Sequence, residues 1–168
     1  MTTIVPLIGN PQPGSRTRLI AETVAEALAE RSGATVAETI ELADVADELF
    51  RFPSEAVDAL RSRVLAADVL IVASPTYKAT YTGLLKAFLD RFDAGALHAV
   101  TAVPLLTIGS PAHTLAVETG LRPLLTELGA SQPTQGIAFP ASDTDRRGEI
   151  IARWADAEWP RLRAALGG

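Results

Sequence analysis

The chain has no cysteine, one methionine and only two histidines, His98 and His113, in 168 residues. Without cysteine there is no disulfide, no thiolate-held zinc, no cysteine-ligated iron–sulfur cluster and no cysteine nucleophile. Two histidines also argue against a multi-histidine metal centre. Positive charge is scarce: 15 Lys and Arg against 20 Asp and Glu leave a net charge of −5. No basic block tracks a phosphate backbone, so no nucleic-acid partner is expected. Long apolar runs are missing as well. Residues 3–8 are too short for a signal-peptide core or a membrane span, so a cytoplasmic protein without membrane association is expected. Any chemistry must come from carboxylates and hydroxyls, or from a borrowed group.

What is present is an ordinary globular composition, 48% hydrophobic and 21% charged with 12 Gly and 11 Pro. No repeat or low-complexity linker divides it, so residues 1–168 read as a single domain. The hydrophobic period alternates along the chain. Strands are expected at residues 4–8, 35–42 (an edge strand), 68–73, 101–108 and 136–139. Helices are expected at 16–31, 54–65 with Ser54 as N-cap, 82–92, 111–128 ending at Gly129, and 144–166. This pattern predicts an α/β protein, a five-stranded parallel sheet with helices on both faces. A flavodoxin-like order 2-1-3-4-5 and a minimal nucleotide-binding fold both fit. In either, ligands lie beyond the carboxyl ends of the strands, so the loops after the first, third and fourth strands are the candidate site.

The first of these loops is Gly9-Asn10-Pro11-Gln12-Pro13-Gly14-Ser15-Arg16-Thr17, leading into a helix. Backbone amides and a helix N-terminus suit an anion. Ser15 and Arg16 stand where a P-loop needs Lys and then Ser or Thr, and Pro11 stands where a dinucleotide fingerprint needs Gly. The remaining donors, Asn10, Gln12, Ser15, Arg16 and Thr17, suit a terminal phosphate monoester. A plain Pro/Gly turn with Thr17 capping the helix fits equally.

The second loop runs Ser74-Pro75-Thr76-Tyr77-Lys78-Ala79-Thr80-Tyr81-Thr82-Gly83 and contains both tyrosines of the protein. Pro75 ends the strand and leaves backbone groups beside Tyr77 for the edge of a flat heterocycle. An ordinary connection with Tyr81 packed locally is the simpler alternative. In the third loop, Thr107-Ile108-Gly109-Ser110-Pro111-Ala112-His113-Thr114, Gly109 permits close approach of a ligand and Ser110 can cap the next turn. His113 would border the site. His98 falls at the other end of the strands and reads as structural, as Trp154 and Trp159 do on the last helix.

Taken together, the three loops and the run Ala112-His113-Thr114-Leu115-Ala116-Val117-Glu118-Thr119-Gly120-Leu121-Arg122-Pro123-Leu124-Leu125 make the chain resemble the NADPH-dependent FMN reductase family. Within that family it is most similar to the reductase components of alkanesulfonate monooxygenase systems. The resemblance implies a flavodoxin-like fold with FMN bound and NADPH or NADH as hydride donor. It places Ser15, Arg16 and Thr17 on the ribityl phosphate, Pro75, Thr76, Tyr77 and Lys78 along the isoalloxazine, and Gly109 and Ser110 on the ring's other side. Hydride would pass from nicotinamide C4 to flavin N5, with no catalytic side chain required. Two departures stand out. Gln12 replaces a usual arginine, which bears on phosphate binding and on the choice between NADPH and NADH. Thr119 stands where sulfonate-system reductases carry an aromatic, which bears on whether FMN leaves as a product or stays bound.

Three functions follow: a reductase supplying reduced FMN to a flavin-dependent monooxygenase, a flavoenzyme with retained FMN reducing quinones, and a flavodoxin-type electron carrier. The modest net charge of −5 speaks against the carrier. Leu84, Leu85, Phe88, Leu89 and Phe92 exceed what one buried helix face requires, so a homodimer or homotetramer is expected.

Overall fold

A computed structural model describes residues 2–167. The strands are β1 (Thr3–Ile8), β2 (Thr35–Val36), β3 (Ile40–Glu41), β4 (Val69–Pro75), β5 (Thr101–Ile108) and β6 (Ile137–Pro140). They form one parallel sheet in the order β2-β1-β4-β5-β6, with β3 also paired to β1. This is the flavodoxin-like arrangement expected, with one difference. The expected strand at residues 35–42 is two short pieces, β2 opposite Ile4 and β3 opposite Leu7 and Ile8. Proline explains the break. Ala37 donates its N–H to the Ile4 carbonyl at 2.9 Å, so the backbone groups of Ile4, and with a period of two those of Pro6, face this edge. Pro6 has no N–H to offer, and pairing lapses there before resuming at β3. Pro104 inside β5 is tolerated on the same logic. Ala102 donates to the Ser131 carbonyl at 2.7 Å, while β6 begins pairing only at Leu105, so the nitrogen of Pro104 faces an unpaired gap.

Helices α1 (Arg16–Ser32) and α5 (Arg147–Ala165) cover one face of the sheet; α2 (Glu55–Leu65), α3 (Gly83–Leu89) and α4 (Arg122–Glu127) cover the other. Every residue of β4 and β5 is buried, as expected of central strands covered on both sides. Alternate side chains feed separate cores: Leu7, Leu70 and Val72 pack with Phe88 and Leu85, and Ile8, Ile71 and Val103 pack with Ile20, Val24 and Ile151. Trp154 and Trp159 pack against the second core, consistent with a structural role. No helix among the described residues is long and apolar enough to cross a membrane.

Two helices depart from expectation. Helix α3 ends at Leu89, where Arg91 and Phe92 continue through hydrogen bonds to the carbonyls three residues back. Leu85, Phe88 and Leu89 of this helix and Phe92 just beyond it are all buried within the chain itself. The apolar excess on which an oligomer was expected is therefore satisfied by the fold, leaving only Leu84 partly exposed. The expected helix over 111–128 is a 3-10 turn (Pro111–His113), a π-helical turn (Val117–Leu121) and then α4. Pro123 accounts for the wide turn: it lacks the N–H that would bond the Thr119 carbonyl, and its ring crowds that carbonyl. The turn is stitched to the start of β6 by Glu118, which accepts the Gly136 N–H at 2.7 Å and pairs with Arg122. Hydrogen bonding from Arg122 holds the Glu118 carboxyl below the usual carboxylate range, outweighing burial, and the Gly136 N–H adds to this. Glu118 therefore stabilises the fold above its unfolded pKa, and that contribution fades as pH falls through its lowered folded value.

Replacing Phe88, fully buried against Phe92, with Ala is expected to destabilise the protein by about 3–5 kcal/mol in urea denaturation. Phe50, 81% exposed, should tolerate Ala within about 0.5 kcal/mol.

Candidate active site

The carboxyl ends of β1, β4 and β5 are tied into one surface by small polar side chains. Gly9, just past β1, donates to the Ala73 carbonyl at 2.7 Å. Its own carbonyl accepts the buried Thr82 hydroxyl at 2.5 Å, while Thr82 also caps α3 by accepting the Leu85 N–H at 3.1 Å. The Thr82 N–H donates to Ser74 Oγ at 3.0 Å. A side chain at Gly9 has no room, since a Cβ there would lie 2.6 Å from Leu85 Cβ. The first and second loops thus leave the sheet from a shared knot.

The first loop is held open by its own polar groups. Asn10 Oδ1 accepts the Gln12 N–H at 2.9 Å and Asn10 Nδ2 donates to Thr17 Oγ1 at 3.3 Å, so this buried amide supports the loop at both ends. Gly14 takes the left-handed conformation, φ +63°. Ser15, and not Thr17, is the N-cap of α1, accepting the Arg18 N–H at 3.3 Å. Thr17 is buried with its hydroxyl 2.9 Å from that of Thr107. The first-turn amides of Arg16 and Thr17 have no partner inside the helix and point outward from its positive end.

These groups converge on a cleft of about 240 Å³. Asn10, Gln12, Ser15, Arg16 and Thr17 form its floor at the α1 terminus. Pro75, Thr76 and Tyr77 form one wall; Thr107, Ile108 and Gly109 form another, and Ala141 closes the far side. Nine of the eleven residues singled out in the sequence line this one cleft: Asn10, Gln12, Ser15, Arg16, Thr17, Pro75, Thr76, Tyr77 and Gly109. Ser110 lines an adjoining cleft of about 310 Å³ that shares Ile108 and Gly109. Ser110 also accepts the Ala112 N–H at 3.3 Å, the capping role expected of it. Lys78 stands apart, exposed at the tip of a two-residue turn in which Tyr77 and Thr80 pair and Lys78 and Ala79 have φ +52° and +66°. Non-glycine residues in that conformation carry strain of the kind that accumulates at binding sites. Tyr81 packs into the core as an ordinary side chain, whereas Tyr77 is 48% exposed at the cleft wall. His113 lines neither cleft, and His98 lies before β5, at the opposite end of the strands.

Sequence reasoning missed Thr107, Ile108 and Ala141. Thr107 and Ile108 stand at the start of the third loop but are not singled out by it, because they also end the strand expected at 101–108 and their cleft-facing atoms give no separate signal. Ala141 follows β6, whose pairing with β5 brings its end beside the cleft, and the Arg16 guanidinium donates to the Ala141 carbonyl at 3.3 Å.

The donor set fits an anionic ligand carrying a flat ring. Among the described residues lining the cleft, Arg16 is the only charged one. Arg18 is turned away, and the hydrogen bonds it donates to the Glu22 and then the Glu41 carboxylate push its pKa up. Thr76, in the wall, has its Oγ1 buried without a protein hydrogen-bond partner. Gly109 is crowded by nothing, so a flat ring can approach its backbone. The two glycines make a direct test. Gly9→Ala should lower stability by about 1–3 kcal/mol through overpacking against Leu85, whereas Gly109→Ala should leave it within about 0.5 kcal/mol in the same denaturation assay.

The sequence signature described as NADPH-dependent FMN reductase matches residues 2–145. The FMN reductase (NADPH) of Pseudomonas putida is 37% identical over 137 residues, covering 80% of this chain and 68% of that protein. The NADH-dependent FMN reductase SfnF of Pseudomonas fluorescens is 36% identical over 131 residues, covering 73% of this chain and 68% of that one. An FMN reductase (NADPH) of Escherichia coli is 42% identical over 87 residues, which span 46% of its length. Among solved structures, the apo form of the NADH:FMN oxidoreductase EMOB superimposes with a TM-score of 0.85 at 34% identity, covering 97% of this chain and 90% of that one.

Proposed function

The chain belongs to the NADPH-dependent FMN reductase family and is an oxidoreductase on a flavodoxin-like fold, and we propose that its FMN lies in the cleft at the α1 N-terminus. The observation that carries this reading is the convergence of all three loops on one cleft with an anion-binding end and a flat, partly aromatic wall.

In this reading Arg16, the Ser15 hydroxyl, the first-turn amides of α1 and the Gln12 amide hold the phosphate. The Thr17 hydroxyl is spent on Thr107, so Thr17 contributes its backbone N–H. Pro75, Thr76 and Tyr77 border the ring on one side, and Gly109 and Ser110 on the other. Flavin and nicotinamide supply hydride acceptor and donor when bound; the protein holds them in register and keeps water from the ring edge. No side chain is assigned as acid or base. Relatives whose names specify NADPH and NADH both match, and either nucleotide is taken as donor here. The reaction belongs in the cytoplasm, where reduced nicotinamide nucleotides are available.

The partner proposed for the reduced flavin is a flavin-dependent monooxygenase. Thr119 supports a second reading in which FMN stays bound and small acceptors such as quinones are reduced. In place of an aromatic, its hydroxyl folds back to the Leu115 carbonyl at 3.0 Å within the π turn. Kinetics separate the two: saturation by added FMN with colourless purified protein supports release, and yellow protein with ping-pong quinone turnover supports retention. No NAD(P)H oxidation with any acceptor would overturn both. For the site itself, Arg16→Ala is expected to weaken FMN binding by about 1–3 kcal/mol in a fluorescence-quenching titration. An unchanged dissociation constant would move the phosphate elsewhere.

A further inference from the structure

We propose that Glu41 is a positioning residue that makes the cleft select phosphorylated flavin, acting through Gly14; this rests on the reading of the cleft as an FMN site. Glu41 ends β3, opposite Ile8, and is buried at 7% exposure. Its carboxylate does not line the cleft. It lies behind the loop and accepts the Gly14 N–H, at 3.0 Å on Oε2 and 3.4 Å on Oε1. Gly14 is the left-handed residue immediately before the Ser15 cap. Fixing it sets the direction of the Ser15 hydroxyl and of the first-turn amides that follow. Asn10 ties the first half of the loop through the Gln12 N–H, and Glu41 ties the second half.

A buried carboxylate behind an anion cradle is electrostatically unfavourable unless it is neutralised. Arg18 does this: its guanidinium bonds Glu41 and, through Nε, Glu22 at 2.8 Å, and Glu22 is itself held by the Thr39 hydroxyl at 2.7 Å. Arg18 therefore serves two carboxylates and brings no surplus charge to the cleft. Arg16 remains as the single cation there, so phosphate recognition depends on well-aimed neutral donors. Alignment of the loop, which Glu41 supplies, then decides the discrimination between FMN and riboflavin, which differ only in the phosphate.

The test is to measure dissociation constants for FMN and for riboflavin by flavin fluorescence quenching on the full chain and on E41A, E41Q, R18A and R18A/E41Q. The wild type should prefer FMN. E41A should lose about tenfold or more in FMN affinity, with riboflavin changed by less than about twofold. E41Q keeps an oxygen for the Gly14 N–H and should retain the preference. R18A should lose FMN affinity because it leaves a bare carboxylate behind the phosphate, and adding E41Q should recover most of that loss. Riboflavin binding doubles as the check that each variant is folded. A wild-type preference for FMN that survives in E41A, or equal losses for both flavins, overturns the role of Glu41 alone. A wild type that binds riboflavin as tightly as FMN overturns the phosphate assignment, and the proposal with it.

Discussion

The Gly9 carbonyl is the joint on which the candidate site depends. It accepts the Thr82 hydroxyl at 2.5 Å from a side chain that also caps α3 and whose backbone N–H binds Ser74. Because Gly9 has no side chain, α3 approaches closely enough for this bond to form. The first and second loops then start from fixed, adjacent points at the sheet's carboxyl edge. Thr17 and Thr107 do the same for the first and third loops, at 2.9 Å across the mouth of β5. Buried hydroxyls carry out both connections, and each is matched by a partner, so hydrogen bonding offsets the cost of desolvating them.

On this frame the electrostatics are sparse. Acidic residues outnumber basic ones, and the basic residue following Arg16 by two positions is neutralised by Glu22 and Glu41. The cleft is left with one guanidinium, a helix terminus and a set of hydroxyls and amides. Such a site suits a ligand whose reactivity is its own. The scarcity of cysteine and histidine is then no handicap, since an oxidoreductase of this family works between two bound cofactors.

Most of the architecture was legible because β4 and β5 are continuous apolar runs and the N-caps Ser54 and Ser110 are local signals. The site was legible wherever a strand end carried unusual turn chemistry, as in the loop from Gly9 to Thr17 and around Tyr77. What failed to show depends on where chain segments meet. The effect of Pro6 on the neighbouring strand requires knowing that β2 and β3 pair with β1. Pro123 breaks the α-helical register inside a stretch whose apolar spacing still reads as helix. The apolar residues of α3 and its extension suggested a second, intermolecular face, yet all of them but the partly exposed Leu84 are buried within the chain. Ala141 and Glu41 reach the site only through strand order, from ends that carry no motif.

The central claim is that phosphate and ring occupy opposite ends of one cleft. Amide chemical-shift mapping of the labelled protein with FMN and with riboflavin tests it most directly. Both ligands should shift Thr76, Tyr77, Gly109 and Ser110, and FMN alone should shift Gly14, Ser15, Arg16 and Thr17. Shifts from FMN that leave residues 14–17 untouched, or that centre on a second groove, lined by Leu115, Glu118, Arg122 and Gln135 beside the π-helical turn, would contradict it.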